Sequence, residues 1–297
     1  MRSNRVAPIG LKALQGALLL LGLWGCSVIG EDQDIPRYLV VPDVTFTPDE
    51  LQGTASVNIT DLWVYSATDV VGVFPLPAVV PLLPGDMENG SVRLLAGIRE
   101  NGLSDRRAPY PFYTAFEQEA FPEPGFRDTL QPGVELVEDV RLIRVEDFET
   151  SNVFGSMIGG QGLMRVDAAG QVFEGEESGR IEVQTGAEAV RVRTVEQEYD
   201  LENGAPAFLE MDYRCDQPFA VGLFGFRDGQ EWQQPAMVLT ATDDGLDPVW
   251  NKIYIDLAPL VTAQGVADHF EVYFECFLEA GRATGTVGVD NIRILTY

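Results

Sequence analysis

The chain has 297 residues, 46 of them acidic and 20 basic, for a formal charge of −26. A charge of that sign and size opposes nucleic acid and anionic membrane faces, so no nucleic acid is expected as a partner. With 45% hydrophobic and 10% aromatic residues the chain can build a core, and its length beyond one typical domain predicts two.

Arg2, Arg5 and Lys12 precede an apolar run from Ala17 to Leu23, and no acidic residue comes before Glu31. The run is far shorter than the roughly 20 apolar residues that span a bilayer, so residues 1–25 read as a processed export signal. It ends in Leu23-Trp24-Gly25-Cys26. That ending resembles the lipobox of bacterial lipoproteins. The resemblance implies cleavage before Cys26, acylation of Cys26 and a lipid anchor in the outer membrane. Residues 26–36 then form a lipidated acidic tether carrying Glu31, Asp32 and Asp34. Similar acidic stretches mark surface-exposed lipoproteins of the Bacteroidetes group; an ordinary solvated linker is the alternative. Ser27 after the cysteine resembles the pattern for outer-membrane sorting.

Residues 37–143 read as short strands. Ala55–Tyr65 alternates, with Val57, Ile59, Asp61, Trp63 and Tyr65 on one face, which places Trp63 in the core of the first domain. Val70–Leu76 is β-branched but interrupted by Pro75 and Pro77, so it belongs at a sheet edge or leaves the sheet. The turn residues Pro84-Gly85-Asp86 precede a further strand over 91–98. The segments Ile59–Tyr65, Val71–Ala78, Pro81–Leu83, Ala96–Gly102 and Arg107–Tyr113 together resemble uncharacterised lipoproteins of Bacteroidetes-type bacteria. Their N-terminal part is similar to immunoglobulin-like or PEGA-like β-sandwich modules. Arg106–Tyr113 is locally basic and aromatic; it is either a partner surface or a loop packed between two domains.

Residues 144–297 carry strand-like runs at 207–214, 220–226, 237–242, 250–257 and 270–277, separated by Gly, Pro and Asp clusters. Ile253, Ile255 and Leu257 alternate with Lys252, Tyr254 and Asp256, as in a half-buried strand. About eight such strands predict a jelly roll. The opening Val145–Glu149, the central Glu174–Gly179 and the closing Val289–Ile292 resemble galactose-binding-like jelly rolls, the architecture of many carbohydrate-binding modules. The expected fold class is all-β: an immunoglobulin-like β-sandwich followed by a jelly-roll β-sandwich. No helical periodicity persists anywhere in the mature chain.

Catalytic signatures are missing. His269 is the only histidine, no Gly-x-Ser-x-Gly elbow occurs, and Gly159–Gly162 fits no nucleotide-binding pattern. An enzyme is therefore not expected. Hard cations want several oxygen ligands, and the jelly-roll resemblance implies a structural calcium at Glu146, Glu174 and Asp290. The alternative is that these acids are solvated or bond within turns. Glycan binding needs aromatic platforms beside polar groups. Trp232, in a polar loop, is the first candidate; Trp250, opening a strand, serves either core or rim. Cys215 and Cys276 remain once Cys26 carries lipid, and in an exported chain they allow a disulfide closing a loop of about 60 residues, worth roughly 4 kcal/mol. Two buried thiols are the alternative. The leading expectation is a non-catalytic structural or interaction protein with a protein partner; the second is a surface glycan-binding lipoprotein using the jelly roll.

Overall fold

The structure, a computed structural model, describes residues 34–297 apart from 68, 88–89, 120, 160, 188 and 243–246. Cys26, the export signal and most of the tether lie outside the described residues. No helix among those described is long and apolar enough to cross a membrane.

The first unit is built from β1 (Arg37–Val41), β2 (Thr45–Phe46), β3 (Asp61–Ser66), β4 (Asp69–Pro75), β5 (Ala78–Leu82), β6 (Val92–Arg99), β7 (Arg107–Pro109), β8 (Phe116–Gln118), β9 (Arg127–Thr129) and β10 (Gly133–Val134). One sheet runs β5-β1-β9 and another β4-β3-β6-β7, with β8 also beside β6. Strand β4 is an edge, where the prolines placed it. Leu39, Val41, Val80, Leu62, Val64, Leu94 and Ile98 fill the core between the sheets. The core-facing residues of β3 are thus Leu62 and Val64. Trp63 points the other way, half-buried against Gly97, which corrects its expected core position.

The second unit comprises β11 (Arg141–Glu146), β12 (Phe154–Ile158), β13 (Leu163–Val166), β14 (Ser178–Gln184), β15 (Val190–Thr194), β16 (Ala207–Cys215), β17 (Phe219–Arg227), β18 (Gln230–Leu239), β19 (Asn251–Asp256), helix α1 (Ala258–Ala263), β20 (His269–Cys276) and β21 (Thr284–Thr296). Its back sheet has six strands in the order β13-β14-β21-β16-β19 with β11 on the second half of β21; its front sheet has five, β12-β15-β20-β17-β18. Every pairing within these sheets is antiparallel. Because β11 begins at Arg141, residues 141–143 belong to this unit rather than to the first. The two sheets face each other across Ile181, Val183, Val192, Leu209, Met211, Val221, Leu223, Val272, Phe274 and Val287.

One residue resets the longest strand. Asn291 takes a positive φ of 49°, and the pairing of β21 with β16 shifts register there. A bulge of this kind flips the alternation. Val287 and Val289 point into the core before it, Ile292 and Ile294 after it, so Gly288, Asp290, Arg293 and Leu295 all share the outer face.

The first unit sits on half of that outer face. Phe208, Tyr254 and Leu295 belong to its core rather than to the jelly roll's own. This is why β16 is buried on both faces over its first six residues, and why Lys252 and Tyr254 are buried where an open strand face was expected. Tyr110, Phe112 and Tyr113 are buried in the seam and Arg107 pairs with Asp61 at 2.8 Å, so Arg106–Tyr113 is the inter-unit loop of the two alternatives. The turn after β6 also covers the exposed edge of β19, with the Asn101 N–H donating to the Tyr254 carbonyl at 2.8 Å.

Candidate functional site

The outer face of the front sheet gathers side chains that sequence spacing alone kept apart. In β20, Phe270, Val272, Phe274 and Cys276 enter the core, so His269, Glu271, Tyr273 and Glu275 face outward. Alternation in β15 sends Val190 and Val192 inward and Arg191 and Arg193 outward. In β17 the outward set is Ala220, Gly222, Phe224 and Phe226. The register aligns Arg193 with Tyr273 and Gly222, and Glu271 with Phe224 and Gln233.

Arg193 organises this face. Its guanidinium reaches Glu231 at 2.6 Å and Glu271 at 3.1 Å, and lies 5.2 Å from the Phe224 ring centroid and 5.3 Å from that of Phe226. The Phe226 ring stacks on His269 at 4.8 Å. Beside it Arg191 pairs with Glu275 at 2.5 Å, and Gln233 donates to the same carboxylate at 3.1 Å. Phe224 and Tyr273 are buried on this side because the long polar chains lie over them. Burial pushes the Glu271 carboxyl up, although Arg193 works against it, and burial likewise pushes up the Tyr273 phenol. The result is a largely self-neutralised array of donors and acceptors over an aromatic floor.

The expected site residues fall elsewhere. Trp232 is not in a loop: it lies in the edge strand β18 opposite Gly225, on the side of the sheet away from the array, 38% exposed. Trp250 is half-buried on the back sheet, with Arg214 5.9 Å over its ring and Phe173 at 5.4 Å. Glu146, Glu174 and Asp290 are each engaged by hydrogen bonds from the chain itself. The Glu146 carboxylate already accepts the N–H groups of Asp147, Phe148 and Val153 at 3.1, 2.8 and 2.7 Å. Asp290 accepts Ser178 Oγ at 2.5 Å and its neighbour's N–H at 2.7 Å, while Glu174 accepts Asn291 Nδ2 at 2.9 Å. No group of three or more His, Cys, Asp or Glu residues arranged to hold a metal ion occurs among the described residues.

The expected disulfide is also replaced by the alternative. Cys215 and Cys276 sit in opposite sheets as buried thiols. Cys215 Sγ donates to the Thr240 carbonyl at 3.3 Å, and Cys276 Sγ accepts from Gln217 Nε2 at 2.8 Å.

Sequence reasoning missed Arg191, Arg193, Glu271, Tyr273 and Glu275. Their signal was present as alternation, Arg-x-Arg in one strand and Glu-x-Tyr-x-Glu in another, but an outward stripe of charge looks the same whether it binds or is merely solvated.

No known family model matches the chain, and no curated protein matches it significantly. Solved structures do match. A family 30 carbohydrate-binding module of a cellulosomal cellulase from Clostridium thermocellum is 17% identical, with a TM-score of 0.40, over 52% of this chain and 96% of that module. A carbohydrate-binding module of the β-sandwich superfamily, described as promiscuous in specificity, is 12% identical with a TM-score of 0.40, over 78% of this chain and 83% of its own. A further module, TmCBM61 in complex with β-1,4-galactotriose, is 13% identical with a TM-score of 0.33, over 51% and 97%. Likeness of this degree carries no argument about ligand or residues. The pairings above define the class: an all-β protein of two joined units, the second a jelly-roll sandwich with one open polar-aromatic sheet face.

Proposed function

We propose that this chain is a non-catalytic glycan-binding protein whose ligand lies across the outer face of the front sheet. One observation carries the reading: Arg193 is fixed by Glu231 and Glu271 while covering the rings of Phe224 and Phe226. Sugar hydroxyls both donate and accept, and vicinal pairs match the planar, two-pronged groups of Arg, Glu and Gln. Here those groups are already ordered, which lowers the entropy lost on binding. Because Arg191 and Arg193 are matched by Glu275, Glu231 and Glu271, the face suits a neutral polyhydroxylated ligand better than an ion. This reading takes precedence over the structural or interaction role expected first.

In the same proposal Cys26 carries lipid and tethers the protein to a bacterial outer membrane, with the sandwich displayed beyond the acidic linker. Cys26→Ala then moves the protein from the membrane to the soluble fraction. A glycan array followed by calorimetry tests the binding. Saturable binding of a neutral oligosaccharide, lost in Arg193→Ala with the melting midpoint little changed, is the expected result. An array without hits, or binding indifferent to Arg193→Ala, overturns it.

A further inference from the structure

The half of the back sheet left uncovered by the first unit holds a different arrangement. Gly288 in β21 is paired with Arg180 in β14 on one side and with Arg214 in β16 on the other. Residues directly opposite in neighbouring strands point to the same face. The sheet therefore presents arginine, glycine and arginine in one cross-strand row, and the three residues line a surface groove together with Gln171 and Thr286. The missing side chain of Gly288 is what lets its neighbours close in: a Cβ there would stand 2.8 Å from Arg214 Cγ and 3.2 Å from Trp250 Cη2. Trp250 thus closes the row with the edge of its indole.

The two arginines are held but not equally neutralised. Arg180 donates to Glu182 at 2.8 Å and to Gln171 Oε1 at 3.1 Å. Arg214 donates to the Gly170 carbonyl and lies over Trp250; among the described residues no carboxylate forms an ion pair with it. In a chain of −26 an exposed acid on a ligand is repelled almost everywhere, so a site that accepts one must supply its own cations. This groove does so. It adds the Gln171 side-chain amide, whose N–H donors are left for a ligand while its Oε1 accepts from Arg180, and the Thr286 hydroxyl, which donates to Asp216 at 2.9 Å and keeps its acceptor capacity for a sugar hydroxyl.

We infer that the groove between Arg180 and Arg214 is a second binding site, specific for a carboxylate-bearing sugar, with Arg214 as its principal anion contact. It is chemically distinct from the front sheet, where the arginines are matched by glutamates, and it does not depend on the front face binding anything.

Calorimetry on the full chain in detergent tests this with trigalacturonate, galactotriose and sodium citrate as separate titrants. Trigalacturonate is expected to bind saturably, to weaken as NaCl is raised, and to lose about tenfold or more in affinity in Arg214→Gln, as expected for loss of a charge-assisted contact. Arg214→Lys, which keeps the charge and the fold, retains part of that affinity, and Arg193→Ala leaves it unchanged. Absence of saturable trigalacturonate binding overturns the inference. So does loss in Arg193→Ala but not in Arg214→Gln, which assigns the ligand to the front face. Equal affinity for citrate overturns the sugar specificity and leaves a simple anion site.

Discussion

Glu210 and Arg293 are register partners on adjacent strands, and Arg293 grips one oxygen of the Glu210 carboxylate with two nitrogens, Nε at 2.8 Å and Nη2 at 2.7 Å. Tyr110, from the first unit, donates its hydroxyl to the other oxygen at 2.6 Å. Lys252 stands 3.5 Å from the same carboxylate and 3.6 Å from Asp212, which in turn accepts Ser56 Oγ at 2.6 Å. Burial alone pushes the Glu210 carboxyl up; Arg293, Lys252 and Tyr110 outweigh it and hold it below the ordinary carboxylate range.

A buried pair of this kind is strongly destabilising to break, because the surviving charge is left uncompensated. Arg293→Ala is therefore expected to cost about 3 kcal/mol in a urea melt. As the seam joins both cores, intrinsic fluorescence and circular dichroism are expected to report one shared transition. A loss below about 1 kcal/mol is a surface value and would contradict this account.

Asp290 behaves in the opposite sense. Burial pushes its carboxyl up to about 7, even though Ser178 and the N–H groups of Asn291 and Glu174 favour the charged form. Between the unfolded value near 4 and about 7 the folded state keeps a proton that the unfolded chain has released. Its contribution is thus complete at low pH and is lost as pH rises through 7. Asp290→Asn should gain on the parent protein between pH 5 and pH 8, by on the order of 2 kcal/mol. A difference that stays flat across that range refutes the assignment.

Chelation is expected to leave the melting midpoint unchanged, since the Glu146 oxygens are engaged by its own loop. A drop of several degrees with EDTA, restored by calcium, is the contrary result.

Trp232→Ala should leave glycan affinity within about twofold, because the side chain leaves β18 on the side opposite Gln233. The same calorimetry used for Arg193→Ala decides between them. Loss of binding in the Trp232 variant alone would move the site to the sheet edge.

The thiols give a simpler check. Burial pushes the Cys276 thiol up to about 11, and Cys215 is equally enclosed. Neither should react with a thiol reagent in the native protein, both should react in denaturant, and a reductant should not shift the midpoint.

Much of the strand pattern was legible because a half-buried strand must alternate. Ile253 and Ile255 in β19 point inward as their spacing predicts, and Pro75 marks an edge. What spacing does not encode is the cover on the other face: Lys252 and Tyr254 look solvent-facing until a second unit is laid on them. Parity fails for a related reason in β3, where both alternating sets contain large apolar residues and only packing selects Leu62 and Val64 over Trp63. Asn291 hid its bulge because nothing in Val-Asp-Asn-Ile distinguishes a turn from a strand that changes face. The front array was obscured because Arg193 acts through rings two strands away in the chain.

The seam on the back sheet also decides the geometry of approach. The first unit occupies half of the back sheet's outer face, while the two edge strands of the front sheet carry Val238 and Ile158, both exposed. On the proposed function a polymer lying over that sheet continues past either margin, so the ligand expected there is the interior of a long chain rather than its terminus.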